Sequence, residues 1–275
     1  MMTIMRFEVE GRRLNADLAQ PLSIAIPLDF NGPQPSFYNA PVATAKPYRE
    51  AGFVGDTRAG GSCNCEQLTL VPHCNGTHTE CVGHVTDDRV AITDRLRGGI
   101  VLALLVSLHP VAASATREDS DPPPAATDLL LTAESLESAF AAHPGPAPRA
   151  LVLRTMPSMA TRLTQAYRGN APAPYLSRQA ASWLVDHGID HLVLDLPSAD
   201  RADDHGRLTA HRLFFGLPAD GRHAHDASRP HASITELAWV APTIHDGWYM
   251  LDLQIPAFLT DAAPSRPLLY PVHFE

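Results

Sequence analysis

The chain has 275 residues, 45% of them hydrophobic, and a formal net charge of −9 at pH 7. That length suffices for one large domain with a substantial core, and the acidic balance argues against a nucleic-acid surface, which needs a basic face to neutralise phosphates. The longest apolar run, residues 100–108, is shorter than the ~20 residues a membrane-crossing helix takes, and residues 1–10 lack the apolar stretch of a signal peptide, so the expected location is cytoplasmic, without a membrane partner.

In chain order, residues 22–28 read as a strand that stops before the turn-rich Asp29-Phe30-Asn31-Gly32-Pro33. Residues 31–62 are dense in Pro, Gly and small polar types and read as a substrate-facing loop. Phe37 and Tyr38 lie in it, either as an aromatic wall or as a plug on the core. Residues 66–72 read as a strand leading into the most informative segment of the chain, and residues 100–108 as a buried strand. Residues 112–127, with Asp119-Ser120-Asp121-Pro122-Pro123-Pro124, read as a solvated loop.

The period then becomes helical. Thr132 is a good N-cap, Glu134 suits the first turn, and Leu136, Ala139 and Phe140 share one face of a helix ending near His143-Pro144-Gly145. Residues 150–153 form a strand. Ser177 caps a second helix to Asp186, with Ala180, Trp183 and Leu184 on its buried face and Gly188 ending it. Residues 191–196 follow as a short buried strand, and this strand–helix–strand order implies parallel pairing through a right-handed crossover. Residues 248–255 read as the last strand, closing the sheet. The fold class is α/β: a strand-rich single domain, residues 1–275, with a mixed sheet and a few packed helices.

The chemistry concentrates in residues 73–84, His-Cys-Asn-Gly-Thr-His-Thr-Glu-Cys-Val-Gly-His. Imidazole and carboxylate are the usual ligands of zinc, manganese and related ions in hydrolytic sites. His73, His78, Glu80 and His84 together outweigh the bland reading as polar residues on a solvated strand. In an extended segment side chains two apart share a face, so His78, Glu80, Val82 and His84 point one way. His73 is out of phase, and a β-bulge at Asn75-Gly76 would restore it. Cys63, Cys65, Cys74 and Cys81 overlap the cluster and read as small, largely buried residues lining the site rather than as disulfides. His223, His225 and His231 read as solvated loop, His187 and His191 as partners of helix-end carbonyls, and His245 as turn chemistry.

Gly76, Thr77, His78, Glu80 and His84 resemble the His-x-Gly-Thr-His-x-Asp-x-Pro-x-His signature of the metal-dependent cyclase family, which includes bacterial kynurenine formamidases and isatin hydrolases. Glu80 stands for Asp and Val82 for Pro. The family's first histidine falls on Cys74, whereas this chain has His73; His73 is the preferred ligand, because a thiolate would change the whole donor set. Asp195-Leu196-Pro197-Ser198-Ala199-Asp200-Arg201 and Ala210-His211 resemble the family's later loop and Ala-His pair.

The resemblance implies a swivelling β/β/α fold and metal ligands His73, His78, Glu80, His211 and Glu236 for one or two divalent ions, zinc or manganese. His84 would shuttle a proton. Residues 217–233 look like an insertion, and Asp200 and Arg201 either support the site from behind its ligands or, as the preferred reading, form a loop-stabilising ion pair. The implied activity is hydrolysis of an amide, N-formyl amide or cyclic amide of a small molecule by metal-activated water, in a homodimer or homotetramer. Two alternatives use the same residues: a catalytically silent member kept for binding or assembly, and a metal-dependent lyase or dehydratase.

Overall fold

The computed structural model describes residues 3–96, 99–167 and 173–275. The strands that build and flank the site are β1 (Ile4–Val9), β2 (Arg12–Asp17), β3 (His78–Glu80), β4 (Ile100–Leu108), β5 (Ala150–Thr155), β6 (His191–Leu194), β7 (Ser233–Glu236), β8 (Gly247–Asp252), β9 (Ala262–Pro264) and β10 (Leu268–Phe274). They share one sheet in the spatial order β1-β2-β10-β8-β4-β5-β6-β7-β3-β9, with Leu22–Ser23 paired to β10. Neighbours from β4 to β7 run parallel, while the flanking pairs are antiparallel.

The parallel centre follows from composition. All six residues of β5 are buried, as is most of β4; strands covered on both faces read as continuous apolar runs rather than alternating ones. Helices α1 (Ala133–Ala141), α2 (Arg178–Asp186) and α3 (Thr209–Phe215) contribute Leu136, Leu184 and Phe214 to the core that contains Leu104, Leu151 and Leu192. The Thr132 hydroxyl accepts from Ser135 N–H at 3.2 Å, and that of Ser177 from Ala180 N–H at 2.9 Å. Each satisfies a donor that the first helical turn leaves unpaired. Gly188, at φ +70°, ends α2. The strand-rich α/β reading of the sequence therefore holds.

Several local expectations do not. The strand at residues 248–255 does not close the sheet: β8 lies inside it, between β4 and β10. Two later strands follow, and their prolines, Pro264 and Pro271, disguise them. Within residues 66–72 only Glu66–Thr69 is a strand, and it pairs with Thr44–Pro47 in a separate two-stranded sheet. Of residues 22–28, only Leu22–Ser23 is strand, followed by a lone bridge from Ala25 to Ala238. Residues 112–127 are tied down rather than freely solvated. The Glu118 carboxylate accepts Ala133 N–H at 2.8 Å and Glu134 N–H at 3.1 Å, while Asp121 C=O accepts from the Thr209 hydroxyl at 2.9 Å. An acidic side chain at a helix start is favoured by the exposed N–H groups and the dipole. Among the described residues no helix is long and apolar enough to cross a membrane.

Candidate metal centre

Strand β3 is three residues long and alternates: His78 and Glu80 face one way, and Thr79 faces the other, its hydroxyl 2.8 Å from that of Thr235 on β7. The antiparallel register sets Glu236 of β7 directly opposite His78. Gly76, two residues earlier, adopts φ +151°, which side-chain-bearing residues rarely take. The Thr77 hydroxyl accepts Ile26 N–H at 2.8 Å and donates to Leu237 C=O, pinning the start of β3 between two segments.

His211 comes from α3, whose first turn is held by Asp200. One carboxylate oxygen accepts Ala210 N–H at 2.7 Å; the other lies 3.1 Å from His211 N and 2.6 Å from His211 Nδ1. His73 arrives on a turn rather than a bulged strand. In that turn Cys74 and Asn75 N–H donate to Val71 C=O, and the Asn75 side chain accepts Val71 N–H at 2.6 Å. His84 follows β3 on the 3-10 turn Val82–Val85. Val82 enters the core instead of sharing the histidine face.

These segments converge on Glu80. Its Oε2 is 2.8 Å from His73 Nδ1, 3.9 Å from His78 Nε2 and 3.9 Å from His84 Nδ1, and its Oε1 is 2.7 Å from His211 Nε2. Glu236 Oε2 is 3.5 Å from His78 Nε2, and Oε1 is 3.4 Å from His211 Nε2. Ala199 N–H also donates to Oε1 of Glu236 at 2.7 Å.

Each inward imidazole is held by its outer nitrogen: His78 Nδ1 by Gly76 C=O at 2.9 Å, His211 Nδ1 by Asp200, and His73 Nε2 by Asp261 at 2.9 Å. The inner nitrogens, His73 Nδ1, His78 Nε2 and His211 Nε2, are buried and lack hydrogen-bond partners, as are both Glu80 oxygens. Their mutual approaches are close, yet lack hydrogen-bond alignment. Buried polar atoms without partners are costly, and an imidazole anchored through one nitrogen with the other bare is how metal-ligating histidines are held. The donor set of imidazole nitrogens and carboxylate oxygens therefore fits a divalent metal ion. Overlapping sets of ligand atoms lie within 4.8 Å of one another: His73, His78 and Glu80; Glu80, His84 and His211; and His73, His84 and Asp261.

The electrostatics agree. Burial alone would favour neutral Glu80, but the His84 and His211 imidazoles hold its carboxyl well below the usual range. Burial opposes charge on His73 as well, yet Asp261 and Glu80 push it up to about 10. His211 is raised for the same reason, burial being outweighed by Glu80, Asp200 and Glu236. Without an ion, the centre holds its carboxylate charge against protonated imidazoles.

The structure thus brings His73, His78, Glu80, His84, His211 and Glu236 together. Cys74 stays outside, near the side chains of Ile26 and Phe37, where burial and the Glu236 charge raise its thiol. Asp200 is no loop ion pair with Arg201, which lies 3.3 Å from Asp128 instead; Asp200 faces His211. The cysteines do not line the site as a group: Cys63 and Cys65 are exposed, and all four are free. Phe37 is the plug on the core. Phe37 is buried against Ile26 and Leu237, whereas Tyr38 is exposed and donates to Ala202 C=O at 3.0 Å. His223 and His225 are exposed, as expected for solvated loop residues. His187 Nδ1 meets Trp183 C=O at 2.8 Å, but His191 Nδ1 meets the Ser233 hydroxyl at 2.9 Å rather than a helix end. Sequence reasoning missed Asp261: it sits in Thr260-Asp261-Ala262, with no motif around it.

The family model described as "Putative cyclase" matches residues 16–201. No curated protein matches the sequence. Among solved structures, isatin hydrolase A from Labrenzia aggregata bound to benzyl benzoate aligns with TM-score 0.61 at 15% identity, over 91% of this chain and 93% of that one. Isatin hydrolase A from Ralstonia solanacearum aligns with TM-score 0.59 at 15% identity, over 91% of each chain. A potential metal-dependent hydrolase with cyclase activity aligns with TM-score 0.56 at 15% identity, over 91% of this chain and 97% of that one. At such identity the likeness shows the fold.

Proposed function

The chain belongs to the cyclase family, and from that premise we propose that it is a metal-dependent hydrolase cleaving an amide, N-formyl amide or cyclic amide bond in a small molecule. The observation that carries this reading is the set of three inward imidazole nitrogens and the Glu80 carboxylate, all buried and without hydrogen-bond partners. His73, His78, Glu80, His211 and Glu236 would hold one or two ions of zinc or manganese, the Glu80 carboxylate lying 2.8 Å from His73 Nδ1 and 2.7 Å from His211 Nε2. When bound, such an ion lowers the pKa of coordinated water from about 15.7 to roughly 7 and polarises a carbonyl.

The chain's own residues supply the rest. His84 is partly exposed, 28% at its side chain, with Nδ1 beside Glu80 and Asp261. An imidazole placed there can take a proton from the nucleophile and return it to the departing nitrogen. Asp200 and Gly76 C=O keep His211 and His78 in the tautomers that leave the inner nitrogens free. Tyr38 is tethered to Ala202, and burial, then the Asp204 and Glu236 charges, raise its phenol.

The test is metal content by elemental analysis of chain purified without chelator, beside the His78→Ala/Glu80→Ala double variant. We expect one or two ions per chain, lost in the variant, and turnover of isatin-like cyclic amides or N-formyl anilines by the loaded protein. A folded wild-type chain that cannot be loaded with zinc or manganese would overturn the reading.

A further inference from the structure

The centre contains a carboxylate that the proposed ligand set leaves unused. Asp261 Oδ2 lies 2.9 Å from His73 Nε2, within hydrogen-bond distance of a ligand's outer nitrogen, and 3.6 Å from His84 Nδ1, the proton shuttle. His78 and His211 each have an acceptor for their outer nitrogen, and His73 needs one most, because it rides on a turn outside the sheet.

The position of Asp261 is fixed from the backbone. It immediately precedes β9, which pairs with β3 so that Ala262 lies opposite Glu80 and Ala263 opposite Thr79. Cys81 N–H donates to Asp261 C=O at 3.1 Å. Gly83 permits the approach: a Cβ there would stand 3.1 Å from Asp261 Cβ and 2.5 Å from Val90 O. Strand pairing therefore delivers the carboxylate to His73, and only its side-chain torsions remain free.

We propose that Asp261 is the positioning residue of this centre: it accepts a hydrogen bond from His73 Nε2–H, which turns Nδ1 inward as a ligand. This rests on the metal-centre reading above. A carboxylate behind a metal-ligating imidazole fixes its tautomer and raises its basicity, and loss of such a partner weakens metal binding by roughly 10–100-fold.

The experiment is a Zn2+ titration of chelator-stripped protein against a chromophoric chelator, for wild type, Asp261→Ala, Asp261→Asn and His78→Ala, with circular dichroism to establish folding. Asp261→Ala should bind Zn2+ about 10–100-fold more weakly. Asp261→Asn should recover most of that loss, since an amide oxygen still accepts from Nε2–H. Wild-type affinity in Asp261→Ala would overturn the inference while the metal centre stands. Asparagine no better than alanine would overturn it too, marking Asp261 as a ligand in its own right. If His78→Ala binds as tightly as wild type, the metal-centre reading fails and takes this inference with it.

Discussion

Asp200 Oδ2 lies 2.6 Å from Nδ1 of His211, and the same carboxylate accepts the backbone N–H groups of Ala210 and His211. One side chain thus starts α3 and aims the imidazole that the helix carries. Asp200→Ala should cost about 1 kcal/mol through the lost cap and roughly 10–100-fold in metal affinity through the freed ring. Thermal melts with and without metal, beside a Zn2+ titration, measure both effects. A variant that loses stability but keeps wild-type affinity would reduce Asp200 to a cap.

His84 is assigned to proton transfer rather than to the ion. His84→Gln should therefore retain its metal, while turnover falls about 10²–10⁴-fold, the usual contribution of general acid–base catalysis. Metal content and kcat measured on the same preparation decide the matter. Loss of the ion along with activity would make His84 a ligand.

Metal binding should release protons. Without an ion, His73 is held up to about 10 by Asp261 and Glu80 against its burial, so it is protonated at pH 7, and Glu80, Asp200 and Glu236 raise His211 above its usual value. Ligating nitrogens must be bare, so loading at pH 7 should expel about one proton from His73, with any from His211 adding to it, and apparent affinity should climb as pH rises. In the metal-free chain the raised His73 contributes stability in full below about pH 6.5, lost as pH rises through about 10. Calorimetry in buffers of different ionisation enthalpy counts the protons; a buffer-independent heat would contradict this account.

Away from the centre, burial lowers His191 to about 4. The unfolded chain takes up a proton near pH 6.5 that the folded chain refuses, so the stability is complete above that pH and is lost as pH falls toward 4. The loss is about 3 kcal/mol on the linkage scale. His191→Gln should flatten the acid limb of a denaturation series between pH 6.5 and 4, whatever its cost at pH 7. An unchanged slope would place the acid sensitivity elsewhere.

The sequence by itself determined the local pieces. Apolar runs and caps at Thr132 and Ser177 specify buried strands and helix starts because their physics involves neighbours within a few residues. The dense imidazoles and carboxylate of residues 73–84 likewise identify a chemistry, since so many donors rarely gather without one. Tertiary structure alone decided the partnerships. The register that sets Glu236 against His78, and the edge strand that brings Asp261 to His73, depend on pairing between distant segments. The turn that moves His73 into place is closed by an Asn75 side chain rather than by any strand period. The sequence leaves Asp200 between a loop ion pair and a support of the site, and only when α3 folds back over it does its carboxylate find both a helix start and a ring nitrogen. Short-range spacing can announce donors, but which nitrogen stays bare depends on what stands behind each ring, and that is settled only when the sheet assembles.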